Sequence, residues 1–195
     1  MGQTPHYFIA IPIKEALRVQ FANWQSQLKA GLSYKVWPHE QDLHITLKFL
    51  GAVEEEKLEK LLNSLRLINQ TGFSLNVGGL GTFGKQDSPR VLWAGVNRIE
   101  SLDELFLKVE KAALSAGFPK ENRPYRPHIT LAKKWNGTPE QTEILKVMKD
   151  KFQSMKYSMD IEEYVLYQIF PTKTPKYERV ETFRLKRGES FGPIN

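Results

Sequence analysis

The chain has 195 residues, 41% of them hydrophobic and 26% charged, with no cysteine and a formal charge of +6, which corresponds to a pI near 9.4. That balance excludes wholesale disorder, and the lack of cysteine excludes a disulfide framework and a cysteine-based metal site. No basic leader precedes the first apolar run and no run reaches bilayer length, so a cytoplasmic protein is expected, its positive charge suited to RNA or phosphorylated nucleotides.

Tyr7 to Ile11 is an apolar, β-prone run closed by Pro12. From Lys14 to Lys29 the residues Leu17, Phe21, Trp24 and Leu28 recur at helical spacing, and Gly31 ends the pattern. A strand is predicted over Leu43 to Leu50, a second amphipathic helix over about Glu54 to Ile68, and another strand around Phe73, Leu75 and Val77. Gly79-Leu80-Gly81-Thr82-Phe83-Gly84 matches the spacing of a dinucleotide-binding loop, but no helix pattern opens at its last glycine. It is read as a flexible connection to a strand from Arg90 to Val96. A helix over Leu102 to Ala116, closed by Gly117, leads to a strand from Pro127 to Lys133. Thr138-Pro139-Glu140-Gln141 has the capping threonine, first-turn proline and third-position glutamine of a helix start, and that helix should run to about Phe152. Strands over about Tyr157 to Ile161, Tyr164 to Phe170 and Val180 to Leu185 complete the order.

One tetrapeptide occurs twice, as His44-Ile45-Thr46-Leu47 and His128-Ile129-Thr130-Leu131, with the histidines 84 positions apart. Adding 84 to the earlier elements lands on the later ones within a few residues, which points to an internal duplication. The expected architecture is α+β and bilobal, with two mainly antiparallel sheets, helices outside and a central cleft carrying both motifs. The chain is expected to form one bilobal domain, with repeats over about 6–78 and 90–162 followed by C-terminal strands.

In each motif strand the apolar residues share one parity and the polar residues the other. Ile45, Leu47 and Phe49 oppose His44, Thr46 and Lys48; Ile129 and Leu131 oppose His128 and Thr130. Packed about a pseudo-twofold axis, the polar faces would line one cleft. Imidazole, with an ordinary pKa of about 6.5, can serve as base in one copy and as acid in the other. The threonine hydroxyls can donate to the non-bridging oxygens of a phosphodiester, where charge builds in the transition state. No metal or other cofactor is needed for that chemistry, and the histidines expected to converge are too few for a zinc site. His6 and His39 lack a threonine partner and are expected at the surface. Lys48 and Arg126 are placed to touch phosphate, or to lie in solvent or a surface ion pair.

With these residues the chain resembles the 2H phosphoesterase superfamily, and more narrowly the bacterial and archaeal RNA 2′,3′-cyclic phosphodiesterases, the LigT-like or 2′-5′ RNA ligase proteins. The resemblance spans most of the chain, through Phe8-Ile9-Ala10-Ile11, both motif strands, Gly79 to Phe83, Arg90 to Trp93 and Arg126 to Lys133. It implies that His44 is the proton donor and His128 the proton acceptor, with Thr46 and Thr130 on the phosphate. Water would open a 2′,3′-cyclic phosphate to a 2′-phosphomonoester, and the reverse reaction would join RNA ends through a 2′-5′ bond. It further implies that Phe49 and Lys133, five places after each histidine, sandwich the nucleobase. That position has the wrong parity for an undistorted strand, so a bulge is required. The expected partners are RNA ends or small cyclic-phosphate nucleotides, with no membrane and no obligate protein partner. Two other readings remain at this stage: a 2H enzyme acting on another cyclic nucleotide or an ADP-ribose cyclic phosphate, and an RNA-binding member without turnover.

Overall fold

The computed structural model describes residues 4–187. In chain order its elements are β1 (His6–Pro12), α1 (Glu15–Lys29), β2 (Tyr34–Val36), a 3-10 turn (Glu40–Asp42), β3 (His44–Ala52), α2 (Glu55–Arg66) and β4 (Phe73–Phe83). Then come β5 (Val91–Val96), α3 (Glu100–Ser115), β6 (His128–Trp135), α4 (Pro139–Gln153), β7 (Lys156–Ile161), β8 (Glu163–Ile169) and β9 (Tyr177–Arg184). The apolar positions read at helical spacing in α1 are all buried: Leu17, Phe21, Trp24 and Leu28. At the start of α4 the Gln141 side chain accepts from the Thr138 backbone N–H at 3.3 Å, closing the expected capping box. The strand β2 and the short turn before β3 have no counterpart in the expectations, because three residues carry too little periodicity to be read.

The strands run β7-β4-β5-β6-β3-β1-β8-β9, with β2 added on β6. The pairings between strands are antiparallel. The two expected sheets are thus joined edge to edge, and the joint is the single pairing of Ile45 with Ile129. One lobe is β3-β1-β8-β9; the other is β7-β4-β5-β6.

The repeats are interlocked rather than side by side. In the first lobe β8 pairs with β1, while β4, from the first half of the chain, lies between β5 and β7 in the second lobe. Helices cross over as well. Trp24 of α1 packs on Phe152 of α4 at 4.6 Å and on Tyr157 of β7 at 6.0 Å. On the other lobe α2 lies against α3, and Tyr164 of β8 donates to the Leu65 carbonyl at 2.8 Å. Each lobe therefore buries its apolar face under helices drawn from both halves.

The stretch from Gly79 to Phe83 corrects one expectation. It is not a flexible connection but the second half of β4, paired with β5. Its glycines serve close packing. A Cβ on Gly81 would stand 2.0 Å from the Trp93 ring, and one on Gly78 would stand 2.1 Å from the Met155 carbonyl oxygen. No helix among the described residues is long and apolar enough to cross a membrane.

Candidate active site

His44 and Thr46 open β3, and His128 and Thr130 open β6. Pairing of Ile45 with Ile129 buries both isoleucines and turns the flanking polar residues to the opposite face. Because the strands are antiparallel, His44 lies across from Thr130 and Thr46 across from His128. The histidines are then diagonal neighbours, about 7–8 Å apart at the positions where their side chains leave the strands. Imidazoles reaching inward from that spacing can grip the two sides of one phosphodiester.

Both rings are held the same way. Nδ1 of His44 donates to the Asp42 carbonyl at 2.7 Å, and Nδ1 of His128 donates to the Arg126 carbonyl at 2.8 Å. Each carbonyl belongs to the residue two places before the histidine. A backbone carbonyl can only accept, so Nδ1 carries the proton and Nε2 is left for chemistry; the tautomer is assigned from this network. Nε2 of His44 accepts from the Thr46 hydroxyl at 3.1 Å. The His44 ring is packed by Phe8 at 4.7 Å and Tyr177 at 5.4 Å, the His128 ring by Phe83 at 4.8 Å.

Burial makes both imidazoles harder to charge. The pKa of His44 is pushed down to about 4, chiefly by desolvation, and each positive charge on His128 or Lys133 pushes the same way. Asp42 opposes this through its carbonyl and its carboxylate. His128 is lowered too, again by burial, against the Arg126 carbonyl bond.

The strand periodicity breaks at the same repeat position in both halves. Ile9 pairs with Lys48 and Ala10 with Thr46, skipping Leu47; Leu92 pairs with Ala132 and Trp93 with Thr130, skipping Leu131. Each motif strand is thus bulged just after its threonine. The bulge required for a residue five places after histidine to share its face is present in both strands. It also corrects the parity expected for Lys48. That lysine leaves the histidine face, is only 6% exposed, pairs with Glu110 of α3 at 2.7 Å and donates to the Pro119 carbonyl at 2.8 Å. It is a buried, ion-paired lysine rather than a solvated strand lysine.

Phe49 emerges from its bulge 62% exposed, its ring stacked 5.7 Å from Phe8. Lys133 emerges half-buried, with its pKa lowered first by burial and then by Lys176 and Lys134. The two are not brought together. Phe49 lines a cavity of about 470 Å³ with Thr46, Phe83, Tyr125, Arg126 and His128. Lys133 lines a separate cavity of about 400 Å³ with Trp37, Asp42, Lys176 and Tyr177. Antiparallel pairing is the reason: continuing past the joint, β3 and β6 run in opposite directions.

Arg126 is exposed on the wall of the Phe49 cavity, and His6 and His39 are exposed as expected. Asp42 and Tyr177 were not anticipated. The buried Asp42 carboxylate accepts from the backbone N–H of Lys176 at 3.0 Å and of Tyr177 at 3.1 Å, tying the β8–β9 loop against His44. A contact spanning 134 positions leaves no local trace.

The family model for LigT-like phosphoesterases matches this chain twice, over residues 11–93 and 96–177. The chain belongs to the LigT-like phosphoesterase family. The two matches divide the chain where the 84-residue offset does, so the duplication is a property of the family's fold. Among curated relatives, the RNA 2′,3′-cyclic phosphodiesterase of Bacillus subtilis is 38% identical over 93% of this chain and 97% of its own length. That of Geobacillus stearothermophilus is 37% identical over 97% of this chain, which spans 62% of the Geobacillus protein. Among solved structures, Escherichia coli LigT complexed with 3′-AMP superposes with a TM-score of 0.75 at 26% identity, covering 93% of this chain and 98% of that one. The α+β fold of the LigT-like phosphoesterases is the fold seen here.

Proposed function

We propose that this protein hydrolyses RNA 2′,3′-cyclic phosphate ends to 2′-phosphomonoesters, with His44 as proton donor and His128 as proton acceptor. The observation that carries the reading is the matched pair of imidazoles, each with Nδ1 tied to a backbone carbonyl and Nε2 turned away from it, in His44 toward the Thr46 hydroxyl. The names of the curated relatives support the substrate class.

In the reaction His128 Nε2 takes a proton from water as its oxygen attacks phosphorus. The bond from phosphorus to the 3′ oxygen breaks, and His44 Nε2–H protonates the departing oxygen. The product keeps phosphate on the 2′ oxygen and frees the 3′ hydroxyl. Each proton transfer contributes typically 10²- to 10⁴-fold. Thr46 and Thr130 donate to the non-bridging oxygens, and an exposed Phe49 ring offers a stacking face for a base. Lys133 lies nearer His44, where its charge suits a phosphate better than a base plane.

An asymmetry at equivalent positions supports these roles. The residue two before His44 is the carboxylate Asp42, whose charge favours a protonated His44; the residue two before His128 is the guanidinium Arg126. A bound phosphodiester anion adds to the Asp42 effect and offsets the burial that keeps His44 neutral in the free protein. The same site run in reverse would join a 2′,3′-cyclic end to a 5′ hydroxyl. Substrates are RNA ends, met in the cytoplasm. The test is turnover of a cyclic-phosphate-ended oligonucleotide beside a mononucleoside 2′,3′-cyclic phosphate: no hydrolysis of either overturns the reading.

A further inference from the structure

Each motif imidazole is oriented by a backbone carbonyl that lies just ahead of its strand, at Asp42 and at Arg126. A carbonyl outside the ladder holds a ring only as firmly as its own segment is held. Ahead of β3 the fastening is the Asp42 carboxylate, which accepts from the backbone N–H groups of Lys176 and Tyr177. Ahead of β6 the chain from Pro119 to Pro127 belongs to no helix or strand. Side chains fasten it instead. Buried Lys48 donates to the Pro119 carbonyl at 2.8 Å, and the Glu110 carboxylate accepts from the Glu121 N–H at 3.1 Å. Nearer the histidine, Tyr125 stacks its ring on Phe106, with centroids 4.0 Å apart and planes 8° from parallel. The Tyr125 hydroxyl donates to the Thr46 carbonyl at 3.2 Å.

That last bond joins the two motifs. Thr46 belongs to the first His-Ile-Thr and stands at its bulge, where the ladder with β1 is interrupted. Only Arg126 and Pro127 separate Tyr125 from His128. The proline fixes its own φ and confines the residue before it to extended backbone. Little slack remains between the tyrosine and the carbonyl that orients the ring.

We propose that Tyr125 is a positioning residue for His128: its hydroxyl, bonded to the Thr46 carbonyl, fixes the Arg126 carbonyl and through it the tautomer and aim of the His128 ring. The inference rests on His128 being the proton acceptor of the reading given above. Tyr125 itself moves no proton. Its hydroxyl is engaged by the backbone of the other motif, so it acts on the rate through His128 and not on the affinity for substrate. Without that bond the segment can drift, and a displacement of about 1 Å in a reacting group can lower the rate by as much as about 10²-fold.

The experiment compares the native protein with Tyr125→Phe and Tyr164→Phe on adenosine 2′,3′-cyclic phosphate. Tyr125→Phe keeps the ring and its stack on Phe106 and removes only the hydroxyl. Tyr164→Phe is the control, because it too removes a tyrosine hydroxyl that donates to a carbonyl, that of Leu65 at 2.8 Å between β8 and α2. Tyr125→Phe should lower kcat by about tenfold or more with KM within about twofold, while Tyr164→Phe keeps kcat. At alkaline pH, with both rings neutral, nitrogen-15 NMR should show His128 with Nδ1 protonated in the native protein. In Tyr125→Phe the two nitrogen shifts of His128 should move toward each other as the tautomers mix, and those of His44 should stay. A loss of packing alone would lower the melting temperature of both variants and leave the His128 shifts in place. Native kcat in Tyr125→Phe, a change confined to KM, an unmoved His128 signature or an equal loss in Tyr164→Phe overturns the positioning role and leaves the hydrolase intact. Failure of the native protein on this substrate and on a cyclic-phosphate-ended oligonucleotide overturns the hydrolase reading itself.

Discussion

Ile45 and Ile129, 84 positions apart in the chain, are paired with each other across the joint between the two lobes and are completely buried. That one pairing sets the register of everything catalytic, because a slip of one residue would turn both histidines into the core. Ile45→Ala should cost about 2–5 kcal/mol, and Ile45→Val about 0.5–1.5 kcal/mol, in denaturant unfolding. Near-normal stability for Ile45→Ala would mean that the joint is not a packed core.

His44→Ala and His128→Ala should each lower turnover by at least about 10²-fold with folding retained. Native activity should persist in chelator. Activity that vanishes with chelator and returns with a divalent ion would rule out the two-histidine scheme.

Product regiochemistry tests the assignment of roles separately from their importance. Phosphorus NMR of the hydrolysis product should show a 2′-phosphate, and Thr46→Ala or Thr130→Ala should slow the reaction without changing it. A 3′-phosphate would reverse the assignment even with both histidines essential.

The lowered histidine pKa values carry a pH signature. A depressed pKa means that the charged form is lost at lower pH than usual, so singly protonated enzyme becomes scarce as pH rises toward neutrality. The alkaline limb of kcat/KM, which reports the free enzyme, should therefore lie below the ordinary histidine value of about 6.5. The alkaline limb of kcat should lie higher, because the bound phosphodiester anion favours the charged imidazole. Coincident limbs in the two profiles would refute the role given to the anion.

Two bulge positions make opposite forecasts. Phe49→Ala should weaken substrate binding by about 1–3 kcal/mol while leaving the melting temperature nearly unchanged, since the ring is 62% exposed. Glu110→Ala should instead cost about 3–5 kcal/mol of stability, because it strands the buried Lys48 ammonium. Thermal melts and substrate titrations of both variants check the pair. A Lys48 that tolerates loss of Glu110 would argue that its ammonium reaches water.

Neither half of the chain should fold alone. Each lobe borrows strands and a helix from the other half, so a fragment ending near residue 88 leaves apolar faces uncovered. Circular dichroism and hydrogen exchange on the separate halves would expose an independent fold if there is one. We read the described residues, 4–187, as one cooperative unit on that ground.

Sequence alone determined most of the elements, apart from β2, the short turn before β3 and the far half of β4, and it placed the His-Ile-Thr repeats on two of them. Helical spacing in α1, the capping box of α4 and the alternation around each His-Ile-Thr depend on residues a few places apart, so the order of letters suffices. The duplication was legible for the same reason: an offset of 84 can be counted. Tertiary structure decided what depends on partners distant in the chain. The bulges after Thr46 and Thr130 appear only when β1 and β5 supply the register, and they send Lys48 into the core and Phe49 out of it. Antiparallel pairing at Ile45 and Ile129 moved Phe49 and Lys133 to opposite ends of the site, although both stand five places after a histidine. The hold of Asp42 on Lys176 and Tyr177 came from the fold as well. Strand periodicity names the faces of a strand, but only the neighbouring strand says where that periodicity slips.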